Sequence, residues 1–216
     1  MKTADLFFQH PHHVCQKWLH YFDIYDRYFN KFVGRPIKFL EIGVSQGGSL
    51  DIWKSYFGDK AEIIGADIDP ACLRFEDPTT KIFIGDQSSP EFLDSLAQEI
   101  RSVDIILDDG GHRMDQQIIT FEKLFPILSD GGIYMCEDTH TSYDPAHGGG
   151  PLNKNTFIEY MKAKIDELHE WYQGQHPQPH SLARNATSLC FHDSIVVVEK
   201  QRFDGPRYVE VGFNRR

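Results

Sequence analysis

Residues 37–50 read Ile-Lys-Phe-Leu-Glu-Ile-Gly-Val-Ser-Gln-Gly-Gly-Ser-Leu. The apolar half predicts a β-strand that ends near Glu41, and the second half predicts a helix that begins at Ser49. The turn between them contains three glycines: Gly43, Gly47 and Gly48. Glycine lets a backbone turn sharply and approach a ligand closely, because it has no Cβ. The free N–H groups of the following helix favour negative charge, so the stretch predicts a nucleotide-type binding turn. An ordinary strand-to-helix turn is the alternative.

The spacing of this turn differs from the two common nucleotide fingerprints. It follows Glu-x-Gly-x-x-x-Gly-Gly, whereas dinucleotide sites have Gly-x-Gly-x-x-Gly and phosphate loops have Gly-x-x-x-x-Gly-Lys-Ser/Thr. The turn also lacks a lysine that could contact a triphosphate. The pattern therefore favours a different nucleoside ligand.

Composition limits the class of protein. The chain has 216 residues, of which 40% are hydrophobic and 13% aromatic, as expected for one folded domain with a substantial core. Its apolar runs are too short for a membrane span, and its first residues lack the pattern of a signal peptide. Four scattered cysteines without a Cys-x-x-Cys pair suit reduced thiols, so we expect a cytoplasmic location. A formal charge of −10 argues against a nucleic-acid partner, which would require a basic surface.

The order of predicted elements indicates an α/β fold. Strands are predicted at 37–42, 61–66, 81–84, 103–107 and 132–136, and helices at 49–57, 89–101, 113–128 and 155–173. Alternation of strands and helices is typical of parallel β–α units, and continuous apolar strands indicate that helices cover both sheet faces. Two closely spaced strands at 187–192 and 194–200 can pair only as a hairpin, so the sheet should end antiparallel.

An aromatic stripe precedes the first strand. Its members recur at helical spacing and predict a helix over residues 14–32: Val14, Trp18, Tyr21, Phe22, Tyr25, Tyr28, Phe29 and Phe32. The stripe is expected to pack on the core. A lid over the active site or a contact in a homodimer or larger homo-oligomer is the alternative.

Polar residues follow the second and third strands, where an open α/β sheet binds its ligands. Asp67 could accept hydrogen bonds from both hydroxyls of a ribose, although Asp69 could share that role. Asp86 and Gln87 could bond the edge of an adenine ring. Each of these acids could instead cap a helix N-terminus. Their succession after a glycine turn favours a nucleoside pocket.

Paired acids follow the fourth and fifth strands, at Asp108-Asp109 and Glu137-Asp138. Such pairs at neighbouring strand ends would repel one another, and a hard cation such as Mg²⁺ would relieve that repulsion through oxygen ligands. The alternative is that the first pair caps the helix from 113 and the second is solvated.

These blocks, in this order, resemble the class I S-adenosylmethionine-dependent methyltransferases. More narrowly, the chain is similar to metal-dependent sugar O-methyltransferases related to the macrocin and mycinamicin enzymes. The similarity covers roughly residues 37–200 and rests on five segments: Leu40–Ser49, Gly65–Asp69, Ile106–His112, Glu137–Tyr143 and Phe191–Lys200. The resemblance implies a Rossmann-like seven-stranded, mostly parallel sheet with the last strand inserted antiparallel.

The resemblance also implies roles for particular residues. It assigns Mg²⁺ binding to Asp109, Glu137 and Asp138, and the role of general base to His112. The cofactor S-adenosylmethionine would contact Glu41, Gly43, Gly47, Gly48, Ser49, Asp67, Asp86, Gln87 and Asp108. Asp108 could instead join the metal ligands, and Tyr143 could stack on a sugar ring in the acceptor.

The sequence therefore predicts O-methylation of a sugar hydroxyl in a glycoside, polysaccharide or natural product such as an antibiotic. The macrolide enzymes carry an added N-terminal region, whereas about 36 residues precede the first strand here. The predicted organisation is an N-terminal helical segment (1–36), a methyltransferase domain (37–200) and a C-terminal tail (201–216). A NAD-dependent oxidoreductase and a non-catalytic nucleoside-binding subunit are the alternative functions.

Overall fold

A computed structural model describes residues 2–174 and 176–212. One sheet contains the strands β1 (Lys38–Ile42), β2 (Glu62–Asp67), β3 (Thr80–Ile84), β4 (Val103–Asp108), β5 (Leu128–Cys136), β6 (Ala186–His192) and β7 (Ile195–Lys200). The strand order is β3-β2-β1-β4-β5-β7-β6. Strands β1 to β5 run parallel, and β7 pairs antiparallel with both β5 and β6. The predicted seven-stranded fold with its terminal hairpin is confirmed.

The helices are α1 (Thr3–Gln9), α2 (Tyr21–Phe29), α3 (Gly48–Phe57), α4 (Pro90–Ile100), α5 (Met114–Leu124), α6 (Phe157–Leu168) and α7 (Leu182–Asn185). Short 3₁₀ segments cover Asn30–Phe32, Pro70–Phe75, Phe125–Ile127, Thr139–Tyr143, Pro145–His147 and Glu170–Tyr172. The helix predicted over 113–128 is shorter, because Pro126 cannot donate the helical hydrogen bond and the chain enters β5 at Leu128. No helix among the described residues is long and apolar enough to cross a membrane.

Two apolar clusters lie on opposite faces of the sheet, because successive strand side chains point to opposite sides. Phe39 of β1 packs with α2 and α3, for example against Phe29 and Trp53. The neighbouring Leu40 belongs to the cluster formed with α4, α5 and α6. The expected cover of helices on both faces is confirmed.

The predicted N-terminal helix begins later than expected. Residues 10–20, which we name the N-terminal strap, are not helical, and α2 starts only at Tyr21. From that residue the aromatic stripe packs on the core as predicted, whereas Val14 and Trp18 are 64% and 57% exposed. The strap instead crosses the carboxyl edge of the sheet, where long-range contacts outweigh its helical periodicity. The short helix α1 was not predicted.

The topology places a cleft at one edge. The chain runs from β1 outward to β3 and then returns to β4 on the other side of β1, so β1 and β4 are neighbours at the point where the strand order reverses. Ligands of open α/β sheets bind outside the carboxyl ends of the strands at such a point. The glycine turn after β1 and the acids after β4 both lie there.

Candidate active site

Two adjacent cavities occupy this cleft. The larger, of about 630 Å³, lies between the N-terminal strap and the ends of β4 and β5. The smaller, of about 230 Å³, lies beside the ends of β2 and β3. Four residues line both: Gly43, Ser45, Asp109 and Gly110. The turns that follow β1 and β4 therefore border both spaces.

The glycine turn is held close to its neighbours. Gly43 has φ +94°, and a Cβ there would come within 2.1 Å of the Asp109 carbonyl oxygen. At Gly48 an added Cβ would lie 2.5 Å from the carbonyl oxygens of His13 and Val14 in the strap. Gly47 is left-handed and forms the N-cap of α3. Only glycine allows these approaches, so the turn is packed against β4 on one side and the strap on the other.

Glu41 is fully buried behind the turn. Its carboxylate accepts hydrogen bonds from the Ser49 hydroxyl (2.8 Å) and the Trp53 indole N–H (3.3 Å). Burial raises the pKa of Glu41 to about 7, although the nearby Lys17 ammonium lowers it. Ser49 lines the larger cavity, whereas Glu41 fixes the start of α3 to the end of β1.

The structure separates the two candidates for a ribose contact. Asp67 lines the smaller cavity, and its carboxylate accepts the backbone N–H groups of Val44 and Ser45 at 2.8 Å each. Asp69 accepts the N–H of Ala71 and caps the 3₁₀ segment that follows. Asp67 is therefore the acid placed to meet a ligand in that cavity.

Asp86 and Gln87 both line the smaller cavity, and the polar atoms of the Gln87 side chain bond to protein groups. The Gln87 amide donates to Asp108 (2.7 Å) and Thr120 (3.0 Å), and its oxygen accepts the N–H of Gly111 (3.0 Å). With these bonds made, Gln87 supports the turn after β4, and Asp86 is better placed to contact an adenine ring.

Asp108 is buried beneath the same turn. It accepts hydrogen bonds from Gln87 and from the hydroxyl of Tyr134 (3.2 Å), and burial raises its pKa to about 7. Its carboxylate lines neither cavity. Asp108 is thus placed to orient the turn that carries Asp109, rather than to touch a metal or cofactor.

Three side chains face one another in the larger cavity: Asp109, His112 and Asp138. One ligand atom from each lies within 4.8 Å of the others. The His112 Nε2 atom is 3.5 Å from Asp138 Oδ2 and 4.0 Å from Asp109 Oδ1. His112 and Asp138 both have positive φ, 55° and 53°, and such strained backbone is concentrated at functional sites. The buried Nδ1 atom of His112 has no hydrogen-bond partner among the described residues.

Glu137, the remaining predicted metal ligand, lines the same cavity but is not a member of this group. Its carboxylate accepts the Tyr25 hydroxyl at 2.5 Å and the Lys17 ammonium at 2.9 Å. Lys17 also pairs with Asp109 at 2.5 Å. Burial lowers the pKa of Lys17, but the Asp109 and Glu137 carboxylates outweigh it and leave that pKa raised, so the lysine is charged.

The sequence did not predict Lys17 as part of the site. It lies 92 residues from Asp109 and 120 from Glu137, and nothing in its local pattern distinguishes it from a surface lysine. Tyr21, which donates to Asp138 at 2.6 Å, was predicted only as a core residue. Both contacts come from the N-terminal strap and the start of α2.

The donor set suits a hard divalent cation. Mg²⁺ commonly binds one or two protein carboxylates and completes its shell with water and substrate oxygens. Asp109 and Asp138 provide two such carboxylates facing one cavity. Glu137 could join them only after leaving Lys17.

The rim of the larger cavity is aromatic. Trp18 lines it and meets the ring of His140 edge-on at a centroid distance of 6.2 Å. Tyr143, predicted to stack on a sugar, is 58% exposed and is not among the residues that line the cavity. Trp18 is therefore the better placed aromatic side chain for a sugar ring.

The sheet order, the glycine turn and the acidic cleft define the Rossmann-like methyltransferase fold. More particularly, the chain is related over most of its length to sugar O-methyltransferases. No protein-family model matches it.

One such relative is the 8-demethyl-8-alpha-L-rhamnosyl tetracenomycin-C 2'-O-methyltransferase of Streptomyces olivaceus. It is 35% identical over 207 residues, which cover 89% of this chain and 54% of the relative. The mycinamicin VI 2''-O-methyltransferase of Micromonospora griseorubida is 34% identical over 87% of this chain and 50% of its own. The chain spans about half the length of the curated relatives it matches.

Among solved structures, the MycE methyltransferase of the mycinamycin biosynthetic pathway has a TM-score of 0.82 and 30% identity. The alignment covers 98% of this chain and 56% of that one. That structure is a complex with Mg, SAH and mycinamycin VI. The similarity confirms the predicted resemblance and fold.

Proposed function

We propose that this chain transfers a methyl group from S-adenosylmethionine to a sugar hydroxyl of a glycoside. The observation that carries the proposal is the junction of two cavities at Gly43 and Asp109, with His112 beside it. A cofactor in one cavity and an acceptor in the other would meet at that junction. The printed activities of the relatives support sugar as the acceptor class.

The smaller cavity is assigned to the nucleoside part of the cofactor. Asp67 and Asp86 offer carboxylate oxygens for ribose hydroxyls and for the adenine edge. The glycine turn lets the rest of the cofactor approach the backbone between the cavities. When bound, the cofactor supplies an electrophilic methyl group, and catalysis then depends largely on positioning.

Asp109 and Asp138 are assigned to the metal. A bound Mg²⁺ supplies Lewis-acid stabilisation of negative charge on the acceptor oxygen. The two carboxylates keep their oxygens on the cavity side, where an acceptor with vicinal hydroxyls could reach the same ion. Glu137 is the third ligand implied by the resemblance, and it contacts Lys17.

His112 is assigned as the general base. Its Nε2 atom faces the cavity acids, so it can accept the hydroxyl proton, and the Asp138 carboxylate at 3.5 Å would stabilise the resulting imidazolium. The hydroxyl of Thr141 donates to the His112 carbonyl oxygen at 2.8 Å and so holds the strained turn in place.

Partners and location beyond the acceptor are inferred from charge and composition. A net charge of −10 favours a small-molecule acceptor over nucleic acid. A homo-oligomer, a cytoplasmic location and the division at residues 36 and 200 stay predictions. The packing of α2 on the core removes most of the aromatic stripe from any dimer contact.

The class of cofactor should be evident from the thermal stability of the protein with different nucleosides. S-adenosylhomocysteine at about one hundred times its Kd should stabilise the protein by about 2.7 kcal/mol, because a ligand that binds only the native state shifts unfolding by mass action. For a chain of this size the midpoint of thermal unfolding should rise by roughly 5–10 °C. Differential scanning fluorimetry measures this shift.

NAD⁺ at the same concentration serves as the comparison, and Asp67→Asn as the variant that should weaken the response. A rise with NAD⁺ alone would favour the oxidoreductase alternative. A response to S-adenosylhomocysteine without methyl transfer to rhamnosides or other deoxysugar glycosides would favour the non-catalytic subunit.

Trp18→Ala should weaken acceptor binding rather than chemistry. An aromatic contact contributes about 0.5–1.5 kcal/mol beyond buried area, so the KM for a glycoside acceptor should rise by roughly threefold to tenfold. The kcat value and the affinity for S-adenosylhomocysteine should stay close to those of the wild type. Steady-state kinetics with Tyr143→Ala as the matched aromatic control test the choice between the two side chains; a larger effect at Tyr143 would reverse it.

A further inference from the structure

The Lys17 ammonium occupies the position between two acids that the sequence assigns to a metal. Only 5% of its side chain is exposed, and it contacts Asp109 Oδ2 and Glu137 Oε2 together. The other Glu137 oxygen accepts the Tyr25 hydroxyl. Both Glu137 oxygens therefore carry a hydrogen bond while Lys17 is in place, and a metal there would compete with Lys17 for Oε2.

Lys17 reaches these acids because the N-terminal strap lies across the cleft. The strap also contacts the start of α3. The His13 ring forms a hydrogen bond with Asp51 at 2.7 Å, and the carbonyl oxygens of His13 and Val14 pack against Gly48. These outer contacts are at the surface, and exposed ion pairs contribute little. Lys17 is thus the main polar anchor of a segment that has no hydrogen-bonded secondary structure of its own.

We propose that Lys17 competes with the divalent metal, so that metal binding at Asp109, Glu137 and Asp138 displaces the Lys17 side chain and loosens the N-terminal strap at that point. This inference rests on the metal assigned under the proposed function. In the metal-free state, the strap lies across the cleft and the Lys17 ammonium neutralises the Asp109 and Glu137 carboxylates. With a metal bound, Asp109, Glu137 and Asp138 would hold the ion, and the Lys17 ammonium would move into the cavity or to solvent.

The two states compete because both cations are held by the carboxylates of Asp109 and Glu137. Mg²⁺ binds carboxylate oxygens at about 2.0–2.1 Å. An ammonium 2.5 Å from Asp109 Oδ2 and 2.9 Å from Glu137 Oε2 would then lie against the ion, with two like charges in contact. Three charged carboxylates would repel one another, so a cation at this position, Lys17 or the metal, stabilises their charged forms.

The competition has a measurable consequence for affinity. The apparent affinity for a ligand falls in proportion to the population of the state that can bind it. If Lys17 is paired with Asp109 and Glu137 in about nine of ten metal-free molecules, only about one in ten can bind the metal. Lys17→Met should then bind Mg²⁺ about tenfold more tightly than the wild type. Isothermal titration calorimetry with MgCl₂ measures this, with Lys60→Met, which removes an exposed lysine elsewhere, as the control.

A second variant displaces the strap without changing any charge. Gly48→Ala places a methyl group against the His13 and Val14 carbonyl oxygens, at a helix start where alanine is otherwise favourable. It should also tighten Mg²⁺ binding several-fold, even if Lys17→Met fails to fold. In the wild type, MgCl₂ should change the fluorescence of Trp18, and the change should be absent in Trp18→Phe.

The outcomes separate this inference from the proposed function. Equal Mg²⁺ affinity in the wild type and Gly48→Ala, or weaker binding in Lys17→Met, overturns the competition while leaving the methyltransferase proposal intact. Failure of every variant to bind Mg²⁺ overturns the competition and the metal assignment together. The response to S-adenosylhomocysteine, measured separately, decides whether the cofactor assignment survives.

Discussion

His112→Asn should reduce kcat for methyl transfer by about 10²–10⁴-fold, the range by which a positioned general base accelerates a reaction. Asparagine is the informative replacement because His112 has φ +55°, and asparagine tolerates the left-handed region better than alanine. The variant removes the proton acceptor while keeping the turn after β4. Initial rates with labelled S-adenosylmethionine and a reactive glycoside measure the loss.

The matched control is His140→Asn, since His140 lines the same cavity and is half exposed. It should retain most of the activity. The affinity of His112→Asn for S-adenosylhomocysteine should stay within about twofold of the wild type, because His112 lines the larger cavity and not the smaller. Near wild-type turnover in His112→Asn would exclude His112 as the base.

The fold was predictable from sequence because its signals are local. Apolar runs such as the one through Ile63 and Ile64 mark strands covered on both faces, and both side chains are buried. The final hairpin followed from the short connection at Asp193 and Ser194 alone. Parallel topology then brings every strand end to one edge, so the meeting of Asp109 with Asp138 could be expected without coordinates.

The contacts of the N-terminal strap with residues distant in the sequence were not predicted. Residues 14–20 have helical periodicity, yet they are not helical, and Lys17 among them pairs with two distant acids. Periodicity records which face is apolar and does not record a contact made 92 or 120 residues away. The helix prediction was wrong over residues 14–20 for this reason, because it included Lys17, whose side chain forms a buried ion pair.

Side-chain direction at the strand ends was also beyond the sequence. Adjacent acids Asp108 and Asp109 look equivalent in the sequence, but one is buried under Tyr134 and the other lines both cavities. Asp86 and Gln87 likewise both line the smaller cavity, but the Gln87 amide is bonded to Asp108 and Thr120 beneath the turn after β4. The sequence predicts that polar side chains lie together at the strand ends. Which of them faces the ligand depends on the direction of each side chain, which the sequence does not give.

Asp138→Asn should abolish most metal-dependent activity with little effect on the fold. Asp138 has φ +53°, which asparagine accepts readily, and its side-chain oxygen can still accept the Tyr21 hydroxyl. Because Lys17 pairs with Asp109 and Glu137, this variant alters the metal ligands without breaking that ion pair. Losing the charge should weaken Mg²⁺ binding by at least about 10–100-fold, the effect of altering even an outer partner of a metal ligand.

Calorimetry with MgCl₂ and rates measured over a range of Mg²⁺ concentrations together test this expectation. Asp193→Asn, at a position whose side chain is 90% exposed in the hairpin turn, removes the same charge outside the cleft and should change neither quantity. If Asp138→Asn loses metal affinity and activity in parallel while its thermal unfolding is unchanged, Asp138 binds the ion that activates the acceptor. Full activity with weakened metal binding would instead mean that His112 and the cavity suffice, with Lys17 supplying the positive charge.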